Sequence, residues 1–149
     1  MAANWDKTVW RRHERVQMPD YPDPEALTAV GILSRIFLGE NPRTSEMIQK
    51  GTELCTKVLP EWDEAGGSID MYYWYYGTLA IFQVGGEAWK AWNVAMKSAI
   101  IDNQRKDGDF KGSWDPIGPW GREGGRVYST AVCVHVPRGL LPVLASVRH

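Results

Sequence analysis

Asp70 stands two residues ahead of an unbroken run of five aromatics, Tyr72-Tyr73-Trp74-Tyr75-Tyr76. Of all the stretches in the chain, this one has residue types closest to chemistry. The faces of such rings are electron-rich, so they suit a carbocation or a flat isoprenoid chain, and stacked rings also suit a sugar. Packing between helices is their plainer use. Asp70 is ordinarily a helix cap, and an acid only when something holds it against a substrate. A second place is Gly124-Gly125-Arg126-Val127-Tyr128. A glycine approach to a helix N-terminus holds a phosphate, and Arg126 would add a bidentate contact. An ordinary loop is the simpler reading, because these glycines follow no strand. Asp70, Tyr72, Tyr73, Tyr76, Arg126 and Tyr128 are therefore the candidate substrate-binding residues. No residue is assigned to catalysis.

The remaining reactive types offer less. His13, His135 and His149 lie near the two ends of the chain, and Cys55 and Cys133 are two lone thiols. Neither set has metal-ligand spacing, so no metal and no cofactor is expected. Glu61, Asp63 and Glu64 read as a solvated acidic turn. With 17 Lys+Arg against 18 Asp+Glu, the net charge of −1 argues against nucleic acid as the main partner. Hydrophobic residues at 44% and charged residues at 23% mark a globular chain. Its 149 residues suffice for one domain. No apolar run reaches the roughly 18 residues of a membrane span, and no signal-peptide core is seen. The compartment stays unknown, cytoplasmic by default.

These residues need elements to hold them. Residues 1–23 are charged and then proline-rich (Pro19, Pro22, Pro24), and read as a mobile or extended leader. Asp23-Pro24-Glu25 starts a helix predicted to run to Leu38 and to stop at Gly39. Its apolar residues cover most of its circumference, so it is expected to be buried on nearly all sides. A second helix is expected from Asn41-Pro42 to Leu59. Its stripe comprises Met47, Ile48, Leu54, Cys55, Val58 and Leu59, with one face toward water. The pattern repeats: Met71–Val84 contains no charge, and an amphipathic helix follows from Glu87 to about Gln104, carrying Trp89, Trp92, Met96, Ala99 and Ile100. After a turn-rich loop over 105–126, a third copy begins at Val127. Thr28, Thr78 and Thr130 recur 50 and 52 residues apart, and the turn Gly67-Ser68-Ile69 matches Gly112-Ser113-Trp114. A period near 50 of paired helices is a repeat architecture.

Gln104 followed by Gly112-Ser113-Trp114 resembles the QW-type repeat of squalene cyclases and protein prenyltransferases. Tyr72–Thr78, Gly112–Pro116 and Gly124–Ala131 look like a bacterial prenyltransferase/squalene-oxidase-repeat group. The likeness covers roughly Glu25 to Val134. It implies an all-α fold, a partial α/α toroid in which inner and outer helices alternate around a cavity. It also implies binding of a hydrophobic or isoprenoid-like ligand, with Trp114 and Trp120 as loop staples on the outer helices. The catalytic sets do not carry over. The Asp-x-Asp-Asp motif of the cyclases does not occur, and Arg126-Val127-Tyr128-Ser129 lacks the Asp and His of the prenyltransferase zinc run. The chain therefore reads as an incomplete, non-catalytic relative. The alternatives are a helical-repeat interaction module and a fragment of a carbohydrate-active α/α barrel.

A closed ring of six hairpins needs roughly 300 residues, against two hairpins and the start of a third here. Uncovered inner helices are then expected to self-associate. Pro137 and Pro142 are expected to end the third inner helix after Val134, leaving residues 135–149 as an irregular tail. The run PRGLLPVL can be encoded so that dropping its first base yields LEVYYRY, an amphipathic aromatic helix. A frameshift from about His135 is the expectation that follows.

Overall fold

The computed structural model describes residues 24–138. Within them the chain is all-helical, with five helices and no strand. They are α1 (Pro24–Phe37), α2 (Glu46–Lys57), α3 (Met71–Val84), α4 (Gly86–Ile101) and α5 (Gly121–Arg138). The expected leader, residues 1–23, and the end of the expected tail, residues 139–149, lie outside the described residues.

Two layers result. α3 packs between α1 and α5, while α2 packs against α1 and α3, α4 packs against α3, and α2 and α4 pack against each other. α1, α3 and α5 thus form the inner layer, and α2 and α4 the outer. Within each hairpin the helices run antiparallel: Cys55 near the end of α2 meets Glu25 at the start of α1, and Trp89 near the start of α4 meets Phe82 near the end of α3. The core lies between the layers, where Ala29, Ile32, Ile48, Cys55, Tyr73, Trp74, Ile81, Trp92, Met96 and Ile100 are buried.

Local chemistry accounts for the boundaries. Asp70 caps α3 by accepting the Tyr73 N–H at 3.0 Å, and Gly85, at φ +74, ends it. α2 begins four to five residues later than its Asn41-Pro42 signal. Asn41 instead closes a turn, accepting the Arg43 N–H at 2.9 Å, and Ser45 is the N-cap. The buried stripe of α2 is Ile48, Gly51, Thr52 and Cys55, whereas Met47, Leu54 and Val58 of the expected stripe are exposed. Gly51 sets this face. A Cβ there would come within 3.1 Å of the Ile32 side chain, so α2 rotates its barest side onto α1.

Two further expectations are corrected. α1 is not buried all round: Leu27, Gly31, Ser34 and Phe37 are exposed along one flank, because no described element lies beyond it. α5 does not stop after Val134. It runs to Arg138, with Val136 buried. Pro137 falls in its last turn, where the one backbone hydrogen bond it removes breaks little. A sharp bend at Gly125 (φ 62, ψ −167) separates a first turn from the main run of α5.

The two turns matched in the sequence share a backbone feature. Gly67 (φ +73) and Gly112 (φ +84) adopt the same left-handed conformation. Each precedes a serine whose hydroxyl donates to an upstream carbonyl, Ser68 to Glu61 at 2.8 Å and Ser113 to Phe110 at 2.6 Å. Each serine is followed by a buried apolar residue, Ile69 or Trp114. The three threonines take different partners. Thr28 lies beside Gly51 of α2, Thr78 accepts the Trp92 indole N–H at 2.9 Å, and Thr130 accepts the Trp114 backbone N–H at 3.4 Å.

Candidate functional site

The uncharged helix α3 divides its aromatics between two surfaces. Tyr73 and Trp74 point into the core, and both are buried. Tyr73 stands edge-on to Trp92 at 5.4 Å. Its phenol lies 2.9 Å from the Cys55 carbonyl and 3.0 Å from that of Val58, either of which accepts its proton. Both carbonyls lie at the end of α2, and that of Cys55 also accepts the Val58 N–H at 3.2 Å. Burial raises the Tyr73 phenol far above its ordinary range. Tyr73 is a staple between layers and stands apart from the other candidates.

Tyr72, Tyr75, Tyr76 and Leu79 recur at helical spacing on the opposite surface of α3, each half-buried. The rings of Tyr72 and Tyr76 lie 4.7 Å apart, those of Tyr75 and Tyr76 5.1 Å apart, and Trp120 sits 6.5 Å from Tyr72. Tyr128 of α5 completes the group. Its phenol is pushed up to about 12, chiefly by burial and then by the nearby Asp70 carboxylate, with smaller contributions from Cys133, Tyr72 and Tyr76. It therefore stays protonated at neutral pH and remains a hydrogen-bond donor. Tyr72 and Tyr76 thus share one surface of α3, and Asp70 and Tyr128 lie within electrostatic reach of one another and of those rings.

Arg126 is held elsewhere. Its guanidinium pairs with Asp115, donates to Ser113 Oγ at 3.0 Å, and lies 4.1 Å over the Phe110 ring. Asp115 also holds Arg105 at 3.5 Å. Arg126 therefore clamps the loop over 105–126. Trp114 donates its indole N–H to the Ile100 carbonyl at the end of α4 at 2.7 Å, while Gln104 donates to the Gly112 carbonyl at 2.8 Å. Trp120 does not staple an outer helix. Gly118 packs on the Ile69 carbonyl so closely that a Cβ would overlap it, and this carries the chain toward the start of α3, where Trp120 meets Tyr72. The sequence reading missed Trp120 as a member of the site, although its place one turn ahead of Gly124-Gly125 was a usable signal.

The two thiols have no role at this surface. Burial raises Cys55 to about 11 and Cys133 to about 12, so both are protonated and unreactive. A separate depression of about 690 Å³ lies in the outer layer between Thr56–Trp62 and Ala95–Asn103. Its polar groups are turned to the chain itself: Ser98 donates to Asp102, Ser68 to Glu61 and Asn103 to Ala99. Among the described residues, no three His, Cys, Asp or Glu gather as a metal site, and no helix is long and apolar enough to cross a membrane. No protein-family model, no curated protein and no solved structure matches the chain.

Proposed function

We propose that this chain is a segment of an α/α toroid that binds a neutral, isoprenoid-like hydrocarbon on the aromatic face of its inner helices, and does not transform it. The single observation that carries this reading is the gathering of Tyr72, Tyr75, Tyr76, Trp120 and Tyr128 around the inner helices α3 and α5. Half-buried rings offer a hydrocarbon chain dispersion contact over a broad area at little entropic cost. The stacking of inner on inner helix, with outer helices behind, supports the toroid. Gln104 and Trp114 support it too, since both staple the loop leaving α4.

The charge at the face selects among ligands. The Asp70 carboxylate acts on Tyr128 and raises its phenol, and Arg126 is committed to Asp115. A diphosphate would meet the Asp70 carboxylate while Arg126 stays bound to Asp115, whereas a terminal alcohol would accept a hydrogen bond from the Tyr128 phenol. The test is tryptophan fluorescence titrated with farnesol and, separately, with farnesyl diphosphate. Saturable quenching by farnesol, weakened at least tenfold in Tyr72→Ala/Tyr76→Ala, is expected, with diphosphate binding more weakly. Equal farnesol binding by that double variant, or none by the wild type, would sink the reading.

A further inference from the structure

We propose that a second copy of this chain docks head-to-tail, seating the open flank of its α1 against the open flank of α5. This goes beyond the ligand reading and does not depend on it. The inner layer has a direction: α1 covers one side of α3, and α3 covers one side of α5. Only α3 has an inner helix on both sides. α1 lacks a predecessor among the described residues, and α5 lacks a successor. The intrachain contacts show what such a flank accepts, namely another inner helix of the same repeat.

The composition of the two flanks agrees. The exposed residues of α2 include Glu46, Lys50, Glu53 and Lys57, and those of α4 include Glu87, Lys90 and Lys97. Those are helix faces suited to water. On α1 the exposed residues are Leu27, Gly31, Ser34 and Phe37, and beyond the Gly125 bend α5 exposes Val127, Ala131 and His135. No Lys, Arg, Asp or Glu occurs among them. Leu27 is 56% exposed, Phe37 76% and Val127 83%. Ser34 donates its hydroxyl to Val30 within its own helix at 2.8 Å, so this flank needs no outside acceptor. Gly31 has nothing near the place of a Cβ, and another backbone could approach there closely. Exposed apolar side chains on a helix face without Lys, Arg, Asp or Glu suit a contact surface. Because the two flanks differ, the contact is heterologous: each copy keeps one flank open, and assembly continues until it closes.

The experiment is sedimentation of the full chain over a concentration series, with Leu27→Lys and Val127→Lys as single variants. Both side chains are exposed, and circular dichroism checks that each variant keeps its helices. The wild type should grow past the monomer with concentration, and each variant alone should stay monomeric. Mixing the two should restore a one-to-one dimer and nothing larger, since one variant retains the α5 flank and the other the α1 flank. A wild type that stays monomeric overturns the proposal, as does a variant that still assembles alone. A mixture that stays monomeric overturns it as well, because that is the behaviour of like-with-like pairing.

Discussion

The two tyrosines at adjacent positions 72 and 73 do different work, and single substitutions separate them. Tyr73→Phe removes the proton shared between the Cys55 and Val58 carbonyls. It should cost about 1–2 kcal/mol in urea unfolding and leave farnesol quenching unchanged. Lost quenching at unchanged stability would instead put that ring at the ligand face. Two glycines also predict opposite signs. A Cβ on Gly77 would overlap the Trp92 ring, so Gly77→Ala should destabilise by about 1–3 kcal/mol. Gly31 is helical and open, so Gly31→Ala should add roughly 0.5–1 kcal/mol to the monomer, the ordinary helix-propensity gain. The thiols give a pH dependence. Cys55 and Cys133 rise from an ordinary value of 9.0 to about 11 and about 12. Between those values the unfolded chain sheds protons that the folded chain keeps. The stability they contribute is therefore whole below pH 9 and falls as pH rises through 11 to 12. Replacing both with Ala should flatten that alkaline decline in a denaturation series.

At the scale of elements, the repeated turn and the loop clamp are separable. Gly112 at φ +84 lets its carbonyl receive Gln104 while Ser113 and Trp114 turn inward. Gly112→Ala should cost about 1 kcal/mol or more from the left-handed backbone alone. Arg126→Ala releases Asp115 to Arg105 only. The pair is partly exposed, so the loss in stability should be modest, up to about 1 kcal/mol. The sharper readout is limited proteolysis, with cleavage within 105–115 rising severalfold, while farnesol binding holds. Helix limits were legible where one signal stood alone. α3 begins and ends where Asp70 and Gly85 predict. At α2 the Asn41-Pro42 signal lay four to five residues early, because Asn41 closes a turn and Ser45 caps the helix. The aromatic run was legible as a unit, but not its division into Tyr73 and Trp74 inward and Tyr72 and Tyr76 outward. That division depends on where Trp92 and Gly77 let α4 approach.

For the molecule as a whole, the proposed docking of α1 on α5 would make stability a function of concentration. If copies stack head-to-tail, the melting midpoint should rise with protein concentration, by mass action. It should stop doing so in Leu27→Lys. A ligand on the tyrosine face adds to stability independently, so farnesol should raise the midpoint of that variant as well.

The sequence by itself determined the all-α class, the limits of α3 and the Asp70 cap. All of these rest on interactions within a turn or two of the chain, where proline, glycine, capping and hydrophobic spacing act directly. Only the tertiary structure decided which candidates share a surface. It set Trp120 beside Tyr72, brought Tyr128 within reach of Asp70, Tyr72 and Tyr76, sent Tyr73 to the α2 carbonyls and tied Arg126 to Asp115. It also left one side of α1 bare. The reason is physical: a side chain's partner is set by which helix face lies opposite, and that is fixed by packing among residues far apart along the chain.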